Sequence, residues 1–237
     1  MFRLTPHQTA RQLDSLRQRI DLAAVKSGRT AKNIQIVAVS KYSVIGDGVI
    51  ETFVENGLYD LGESRPQFLY KKAKHYAALG LPIRWHQIGQ LQKNKIRRIL
   101  PVTALIHSID SMKLAEAVNR IAEADALPAV HCLLEAAISP DTSKSGFKIP
   151  EIPELLEKLA ALKNIAVDGL MGIAGLESDE RQIHQEFASL RNLAEMLRSS
   201  GLPPNISMNT LSMGMSGDFE IAVEEGATCL RLGSILY

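Results

Sequence analysis

From residue 34 to its end, the chain alternates short apolar runs with stretches of helical periodicity, and this alternation constrains the fold more than any other feature. Alternating strands and helices predict a parallel sheet covered by helices, because parallel neighbours need a crossover connection. We predict strands at Ile34–Val39, Tyr59–Leu61, Arg84–Ile88, Ala104–Ser108, Ala129–Leu134, Ile165–Met171, Asn205–Leu211 and Thr228–Leu232.

Helical segments separate these strands, and another helix precedes them. The intervening helices are predicted at Val49–Asn56, Gln67–Ala78, Lys93–Leu100, Met112–Ala124, Glu154–Leu162, Arg181–Ser199 and Phe219–Glu225. At the N-terminus, the segment from Thr5 to Gln8 resembles a capping box with proline at the first helical position, and Gly28 is typical of a helix stop. The sequence therefore predicts eight strands and eight helices.

This inventory predicts an α/β fold, a single (β/α)₈ TIM-type barrel in which the extra N-terminal helix completes the outer ring. The chain has 237 residues, close to the ~250 typical of such barrels. The rival is an open doubly wound sheet, which is disfavoured because no Gly-x-Gly-x-x-Gly follows the first strand. No linker, repeat or low-complexity tract divides the chain, so residues 1–237 are predicted to form one domain.

Charge and composition argue against several classes of partner. The formal net charge is +1, which gives no global attraction to nucleic acid or an anionic membrane. Basic clusters at 71–75 and 93–98 lie on predicted outer helices without interleaved aromatic residues, so each is interpreted as a solvated face. His86, His107 and His131 lack metal-ligand spacing and are interpreted as core or rim histidines, so no metal site is predicted.

The same residues predict where the protein works. Neither a signal peptide nor an apolar stretch long enough to span a bilayer is present. Cys132 and Cys229 lie in separate apolar stretches, as expected of buried thiols in a reducing compartment. We predict a cytoplasmic monomer that binds neither nucleic acid nor membrane.

Polar or flexible residues follow every predicted strand, at the end of the barrel where function gathers. They are Lys41, Gly62–Arg65, Gly89, Ser108 and Asp110, Ser143–Gly146, Met171–Gly172, Ser212–Ser216 and Arg231–Ser234. Lys41 ends the first apolar run, so its ammonium is carried to the mouth of the barrel. A lysine held there can form an imine with an aldehyde, although a single strand-end lysine is more often a solvated cation.

The turns after the seventh and eighth strands are candidates for phosphate binding, as in many barrels. Gly214 permits unusual backbone angles, so the amides of Met215 and Ser216 are expected to converge on an anion. Gly233 and Ser234 would add an amide and a hydroxyl. Carboxylates at 218 and 220 would repel a phosphate, so the anion is expected near Gly214–Ser216 and Ser234.

Several sequence blocks, in order, are similar to those of the pyridoxal phosphate homeostasis protein family, whose fold resembles the barrel domain of alanine racemase. The blocks are Ala38–Lys41, Gly62–Glu63, Trp85–Lys95, His107–Asp110, Lys144–Phe147, Gly169–Met171, Leu211–Ser216 and Arg231–Ser234. The block from Trp85 and the Ser-Met-Gly-Met-Ser block are the most specific. The resemblance covers the chain from about Ile34 to the C-terminus.

The resemblance implies a pyridoxal 5′-phosphate site in which Lys41 carries the cofactor as an internal aldimine. It implies a cofactor-binding set of Lys41, Ser64, Ser212, Met215, Ser216, Arg231, Gly233 and Ser234. Arg231 is expected to point toward the pyridine nitrogen or the phosphate, which would weaken the ring as an electron sink. Ser64 and Ala137 stand where many relatives have asparagine; Ser64 substitutes a shorter hydroxyl.

Three functions remain open. The first is a carrier that buffers intracellular pyridoxal 5′-phosphate, with cofactor-dependent apoenzymes as candidate recipients and no catalytic residue. The second is a cofactor-dependent enzyme such as an amino-acid racemase, which needs acid-base groups on both faces of the adduct, whereas Lys41 supplies one. The third is a Schiff-base aldolase acting on a phosphorylated sugar. It would use the same imine at Lys41 and the same phosphate site, but it does not account for the sequence blocks. The carrier is the preferred prediction.

Overall fold

A computed structural model describes residues 6–140 and 145–237, within which nine strands are found. The strands are β1 (Gln35–Val39), β2 (Asp60–Glu63), β3 (Arg84–Gln87), β4 (Leu105–Ile109), β5 (Val130–Ala137), β6 (Phe147–Lys148), β7 (Ile165–Met171), β8 (Ile206–Ser212) and β9 (Cys229–Leu232). The helices are α1 (Pro6–Lys26), α2 (Val49–Glu55), α3 (Pro66–Ala78), α4 (Ile96–Ile99), α5 (Met112–Ala124), α6 (Ile152–Ala160), α7 (Glu180–Ser199) and α8 (Phe219–Glu224).

Eight of these strands close into a parallel barrel. The order around it is β1, β2, β3, β4, β5, β7, β8 and β9, and β9 pairs in turn with β1. The two-residue strand β6 pairs only with the end of β5. The predicted TIM-type barrel is therefore confirmed.

The N-terminal helix completes the outer ring, as predicted. α1 packs beside α8 and α2, and Arg19 reaches the Glu220 carboxylate through two hydrogen bonds of 2.9 Å. After the helix, Arg29 donates to the carbonyl oxygens of Val223 and Ala227. The predicted cap at Thr5 lies outside the described residues. A capping box is found on α7 instead, where Asp179 accepts from the Gln182 amide at 2.8 Å.

The largest differences from the predicted elements lie where polar residues extend a strand or proline interrupts a helix. β2 continues to Glu63 and β5 to Ala137, beyond the apolar runs that marked them. The predicted helix at Lys93–Leu100 is a 3₁₀ turn, one short α-helical segment and a second 3₁₀ turn. Pro101 lacks the amide proton that a continuing α-helix would need, which limits the helix at its C-terminal end.

The two faces of the sheet have different chemistry. Trp85 on β3 faces the helices and stacks with Tyr76 of α3, with ring centroids 6.5 Å apart. Its neighbour His86 therefore points to the barrel interior, because side chains alternate along a strand. Buried polar residues from several strands meet in that interior: Asp60, His86, His107, Ser212 and Arg231. The barrel axis is unusually polar, since such interiors are ordinarily filled by branched apolar side chains.

Other sequence predictions can be compared directly with the described residues. Cys132 and Cys229 are buried free thiols, as predicted. In the described part of the chain, no helix combines the length and apolar character needed to cross a membrane. Residues 6–140 and 145–237 also contain no cluster of three or more histidine, cysteine or acidic side chains suited to a metal ion.

Candidate functional site

Lys41 lies in a turn just past β1, with an exposed side chain at the C-terminal mouth of the barrel. Its ammonium is 5.6 Å from the ring centre of Tyr42. The preceding residue, Ser40, is fully buried and is held by β2, because its amide donates to the Gly62 carbonyl at 2.8 Å. The Ser43 hydroxyl donates to the Ser40 carbonyl at 2.9 Å, which tightens the turn. The backbone that carries Lys41 is thus fixed from both sides.

A buried ion pair supports this turn from below. The Lys72 ammonium donates to the Glu63 carboxylate at 2.7 Å and to the Ser40 carbonyl at 2.6 Å. Both side chains are buried, with exposed fractions of 4% and 0%. Glu63 also accepts the amides of Ser64 and Arg65 at 3.0 and 3.1 Å, just before α3 begins. This pair joins β2, α3 and the residue next to Lys41.

Lys72 corrects the interpretation of its basic cluster as a solvated face. Leu69, Lys72, Ala73 and Tyr76 are all buried, at the spacing of one helical stripe. The signal was present in the sequence, because a lysine on an apolar stripe needs a buried anion as partner. Lys71 and Lys74 on the same helix are exposed, so the interpretation holds for them.

The two closing turns converge on one oxygen atom. The Ser216 hydroxyl oxygen accepts the amides of Gly233 and Ile235 at 3.2 and 3.3 Å. Gly214 sets the first turn with φ of +93°, and a Cβ atom there would lie 2.6 Å from the Ala222 Cβ. Glycine is therefore required at this position. Ser216, Gly233 and Ser234 come together as predicted neighbours, with Ser234 exposed at the rim.

Met215 differs from this arrangement in how its amide is used. The amide donates to the Asp218 carboxylate at 2.5 Å, so it would reach an anion only if that bond were broken. Burial raises the pKa of Asp218, which the hydrogen bond from the Met215 amide partly offsets. Asp218 thus organises the turn at the start of α8.

The Lys41 turn and the closing turns are neighbours, since β1 pairs with β9. A Cβ atom built on Gly233 would lie 3.5 Å from the Val39 Cβ, in ordinary contact. The Tyr237 hydroxyl donates to the Val39 carbonyl at 3.0 Å, and its ring meets that of Tyr42 edge-on at 5.7 Å. The C-terminal residues therefore pack against the turn that bears Lys41.

Ser212 and Arg231 lie deeper, inside the barrel. The Arg231 guanidinium donates to the Ser212 carbonyl at 2.6 Å, to its hydroxyl at 2.7 Å and to the Gly172 carbonyl at 2.9 Å. Burial lowers the pKa of Arg231, but a guanidinium stays protonated in proteins. The Ser212 hydroxyl is occupied by Arg231 and by His107, whose Nδ1 is 2.8 Å away. Ser212 thus contacts Arg231 and His107 directly.

Ser64 stands at the rim between β2 and β3. Its carbonyl oxygen accepts the Gln87 amide at 3.1 Å, and its hydroxyl is 3.5 Å from a Glu63 oxygen. A Cβ atom on Gly89 would lie 2.5 Å from the Ser64 carbonyl oxygen, so the two loops approach as closely as glycine allows.

A cavity of about 270 Å³ opens at the same end of the barrel. It is lined by Gln90, Glu135, Ala136, Ala137, Ile138, Ser145 and Ile173. Burial raises the pKa of Glu135, and the Ser145 hydroxyl donates to this carboxyl group at 2.9 Å. The adjacent Ser143 and Lys144 lie outside the described residues.

The chain resembles known proteins over most of its length. A family model described as "Alanine racemase, N-terminal domain" matches residues 12–237. The "Pyridoxal phosphate homeostasis protein" of Synechocystis sp. is 38% identical over 208 residues, which are 86% of this chain and 91% of that protein. The structure of PipY from Synechococcus elongatus PCC7942 with PLP bound is 31% identical, with a TM-score of 0.82, covering 97% of this chain and 99% of that one. An alanine racemase from Clostridium difficile 630, 16% identical with a TM-score of 0.69 over 92% of this chain and 55% of that one, shares the fold.

Proposed function

The chain belongs to the pyridoxal phosphate homeostasis protein family, and from this premise we propose that it binds pyridoxal 5′-phosphate and takes part in homeostasis of that cofactor. The observation that carries the proposal is the oxygen cradle formed by Ser216, Gly233 and Ile235 beside the strand that ends in Lys41. When bound, the cofactor supplies an aldehyde that reacts reversibly with an amine and a phosphate that needs hydrogen-bond donors.

The residues at the mouth fit this group. The amides of Gly233 and Ile235 already converge on one hydroxyl oxygen, so a phosphate oxygen that displaces it would find the same donors. Ser40 meets Lys72 of α3, and this contact fixes the turn that presents Lys41 at the mouth of the barrel. Lys41 is thus proposed to hold the cofactor covalently.

The remaining members of the proposed cofactor-binding set surround this core. Ser216, Gly233 and Ser234 hold the phosphate, Arg231 faces the ring from inside the barrel, and Ser64 lies at the rim. Met215 and Ser212 act through the shape of the closing turns and through Arg231. We further propose that residues 1–237 act as one domain, a cytoplasmic monomer that hands the cofactor to dependent apoenzymes.

A carrier role agrees better with these contacts than a catalytic role. The Arg231 guanidinium presents a full positive charge in the barrel interior, and such a charge near the pyridine nitrogen disfavours its protonation. An unprotonated ring is a weaker electron sink, which leaves reversible binding as the chemistry best served. Loss of α-deuterium from several amino acids at useful turnover would instead support a racemase-like enzyme.

Visible spectroscopy of the purified protein tests the proposal. Protein loaded with pyridoxal 5′-phosphate should be yellow, and borohydride should discharge the colour and leave the label on Lys41. Lys41→Ala should remain folded and colourless, whereas Lys148→Ala, which removes an exposed lysine on β6, should load normally. A label on Lys144, or colour retained in Lys41→Ala, would contradict the assignment of Lys41.

Cofactor release tests the phosphate contacts separately. The double variant Ser216→Ala, Ser234→Ala should retain the cofactor less tightly by about 1–3 kcal/mol, the usual effect of losing hydrogen bonds to a charged group. Ser199→Ala at the exposed end of α7 is the matched control, and its dialysis rate should equal that of the parent protein. An unchanged release rate in the double variant would remove both residues from the phosphate site.

A further inference from the structure

A continuous line of hydrogen bonds runs through the barrel from Arg231 to the opposite end. Arg231 donates to the Ser212 hydroxyl at 2.7 Å, and the Ser212 hydroxyl lies 2.8 Å from His107 Nδ1. His107 Nε2 is 2.9 Å from His86 Nδ1, and His86 Nε2 is 3.0 Å from an Asp60 carboxylate oxygen. All five side chains are buried, and they come from β9, β8, β4, β3 and β2.

When both imidazoles are neutral, the donors and acceptors along this line have only one direction. A guanidinium has no acceptor, so Arg231 must donate to the Ser212 oxygen. With both histidines neutral, the ionised Asp60 carboxylate takes the only His86 proton, so the Ser212 hydroxyl proton is directed at His107 Nδ1, the unprotonated nitrogen of that ring. His107 therefore carries its proton on Nε2 and donates to His86 Nδ1. By the same rule, His86 donates from Nε2 to the Asp60 carboxylate.

The electrostatics agree with this direction. Burial holds the pKa of His107 well below its ordinary value, and positive charge at His86 or Arg231 acts in the same direction, so the ring is neutral. Burial alone would raise the pKa of Asp60, but hydrogen bonds from His86 and Arg84 more than offset it and leave the carboxylate ionised. A cation and an anion thus stand at the two ends of the chain.

We propose that Ser212, His107, His86 and Asp60 form a one-way hydrogen-bond chain that fixes the Arg231 guanidinium at the cofactor site, which makes the two histidines positioning residues. The inference rests on the proposed function in so far as Arg231 faces the bound ring. The direction of the hydrogen-bond chain does not depend on that function, because it follows from contacts within the protein.

The arrangement leaves the positive charge of Arg231 available to a ligand. Among residues 6–140 and 145–237, its hydrogen bonds go to neutral oxygens, two from Ser212 and one from Gly172, and these orient the plane without a directly bonded carboxylate. The anion at the far end of the chain, Asp60, is four hydrogen bonds away at the start of β2 and is also paired with Arg84. The carboxylates of Asp218 and Glu135 act on Arg231 electrostatically, without a hydrogen bond to it among the described contacts. Polarisation passes along such a chain of hydrogen bonds, so each link strengthens the next. An adjacent carboxylate would hold the guanidinium equally well but would neutralise it.

The tautomers of the two histidines test the direction without any cofactor. ¹⁵N-edited NMR of the unloaded protein should find both rings protonated on Nε2 alone, and the His107 shifts should stay constant between pH 5.5 and 8. His131, an exposed ring whose Nδ1 is 2.8 Å from Asp168, lies outside the chain and serves as the reference signal. Protonation on Nδ1 in either buried ring, or titration of His107 within this range, would overturn the chain. Failure of the protein to bind pyridoxal 5′-phosphate would leave this result standing and would contradict the proposed function instead.

Substitution of His107 tests the effect on the bound cofactor. In the full-length protein loaded with pyridoxal 5′-phosphate, His107→Phe should shift the visible absorption band and speed cofactor release about tenfold. His107→Gln keeps one acceptor and one donor, and should restore both properties at least in part. His131→Phe should match the parent protein. If His107→Phe is folded, by urea titration, and yet keeps the parent band and release rate, the positioning role is wrong. If it does not fold, the same comparison between His107→Gln and the parent, together with the tautomers, decides the question.

Discussion

Replacing Lys72 with methionine should destabilise the protein strongly, because it leaves the buried Glu63 carboxylate without its ammonium partner. The Glu63 carboxylate would keep its hydrogen bonds from the Ser64 and Arg65 amides but would lose the only ammonium within 3 Å among the described residues. Removing one partner of a buried pair generally costs about 3–5 kcal/mol. The two retained amides place the expected loss near the lower end, at about 3 kcal/mol.

Urea titrations of five proteins give the test: the parent, Lys71→Met, Lys72→Met, Glu63→Gln and the double variant Lys72→Met, Glu63→Gln. For a chain of this size, about 3 kcal/mol corresponds to a fall in Tm of roughly 6–12 °C. Lys71→Met changes an exposed neighbour on the same helix and should remain within about 0.5 kcal/mol of the parent. Adding Glu63→Gln to Lys72→Met should recover a large part of the loss, because the buried group is then neutral and still hydrogen-bonded.

The double-mutant cycle makes the prediction refutable. A coupling free energy near zero between Lys72 and Glu63 would show that the pair contributes nothing to stability. Equal losses from Lys71→Met and Lys72→Met would show that burial of the ammonium is irrelevant. Either result would also remove the reason to regard the Ser40 carbonyl, and with it the Lys41 turn, as anchored by α3.

Three further predictions concern other parts of the barrel. The unfolding free energy should fall as the pH is lowered from about 6.5, by up to about 1.4 kcal/mol per pH unit, because His107 is neutral when folded and takes up a proton when unfolded. Urea titrations at pH 5–7 should show that the unfolding free energy of His107→Asn depends less steeply on pH than that of the parent. Equal dependence in the two proteins would refute the assignment. Gly169→Ala should cost at least about 3 kcal/mol, because its Cβ would lie 1.9 Å from the Thr210 carbonyl oxygen. Gly217→Ala, with open space around it, should be nearly neutral in the same thermal melts, and similar losses in both would contradict the steric argument. Asp179→Ala should cost about 1 kcal/mol through loss of the α7 cap, and an unchanged Tm would show that the cap is dispensable.

The barrel was predictable because its signals are local. Apolar runs and helical stripes can be recognised within a window of about ten residues, and their alternation limits the topology. The closing turns were predictable for a similar reason, since Gly214 needs a left-handed backbone that few other residues adopt. The strand ends at Glu63 and Ala137 were missed because burial of a polar or small residue depends on partners elsewhere in the chain.

The inner parts of the candidate site depend on register between distant strands, which the sequence does not express locally. His86 and His107 were expected to be satisfied core histidines, and they are buried and hydrogen-bonded, but nothing in their spacing indicated that they face each other. The Asp218 carboxylate was expected to disturb a phosphate; instead it accepts the Met215 amide. Lys72 is the one case where a local signal, a lysine on an apolar stripe, was available and was interpreted wrongly.

Because β1 pairs with β9, the first and last strands of the barrel are hydrogen-bonded neighbours. Lys41 follows β1, and Gly233 follows β9. If Lys41 and the Gly233 amide hold the cofactor as proposed, a chain still lacking β9 would possess the amine without the amides that bind the phosphate, so cofactor binding would need both strands in place. A cofactor bound to residues after both strands would also slow the separation of these strands, since a ligand bound only to the closed form stabilises it.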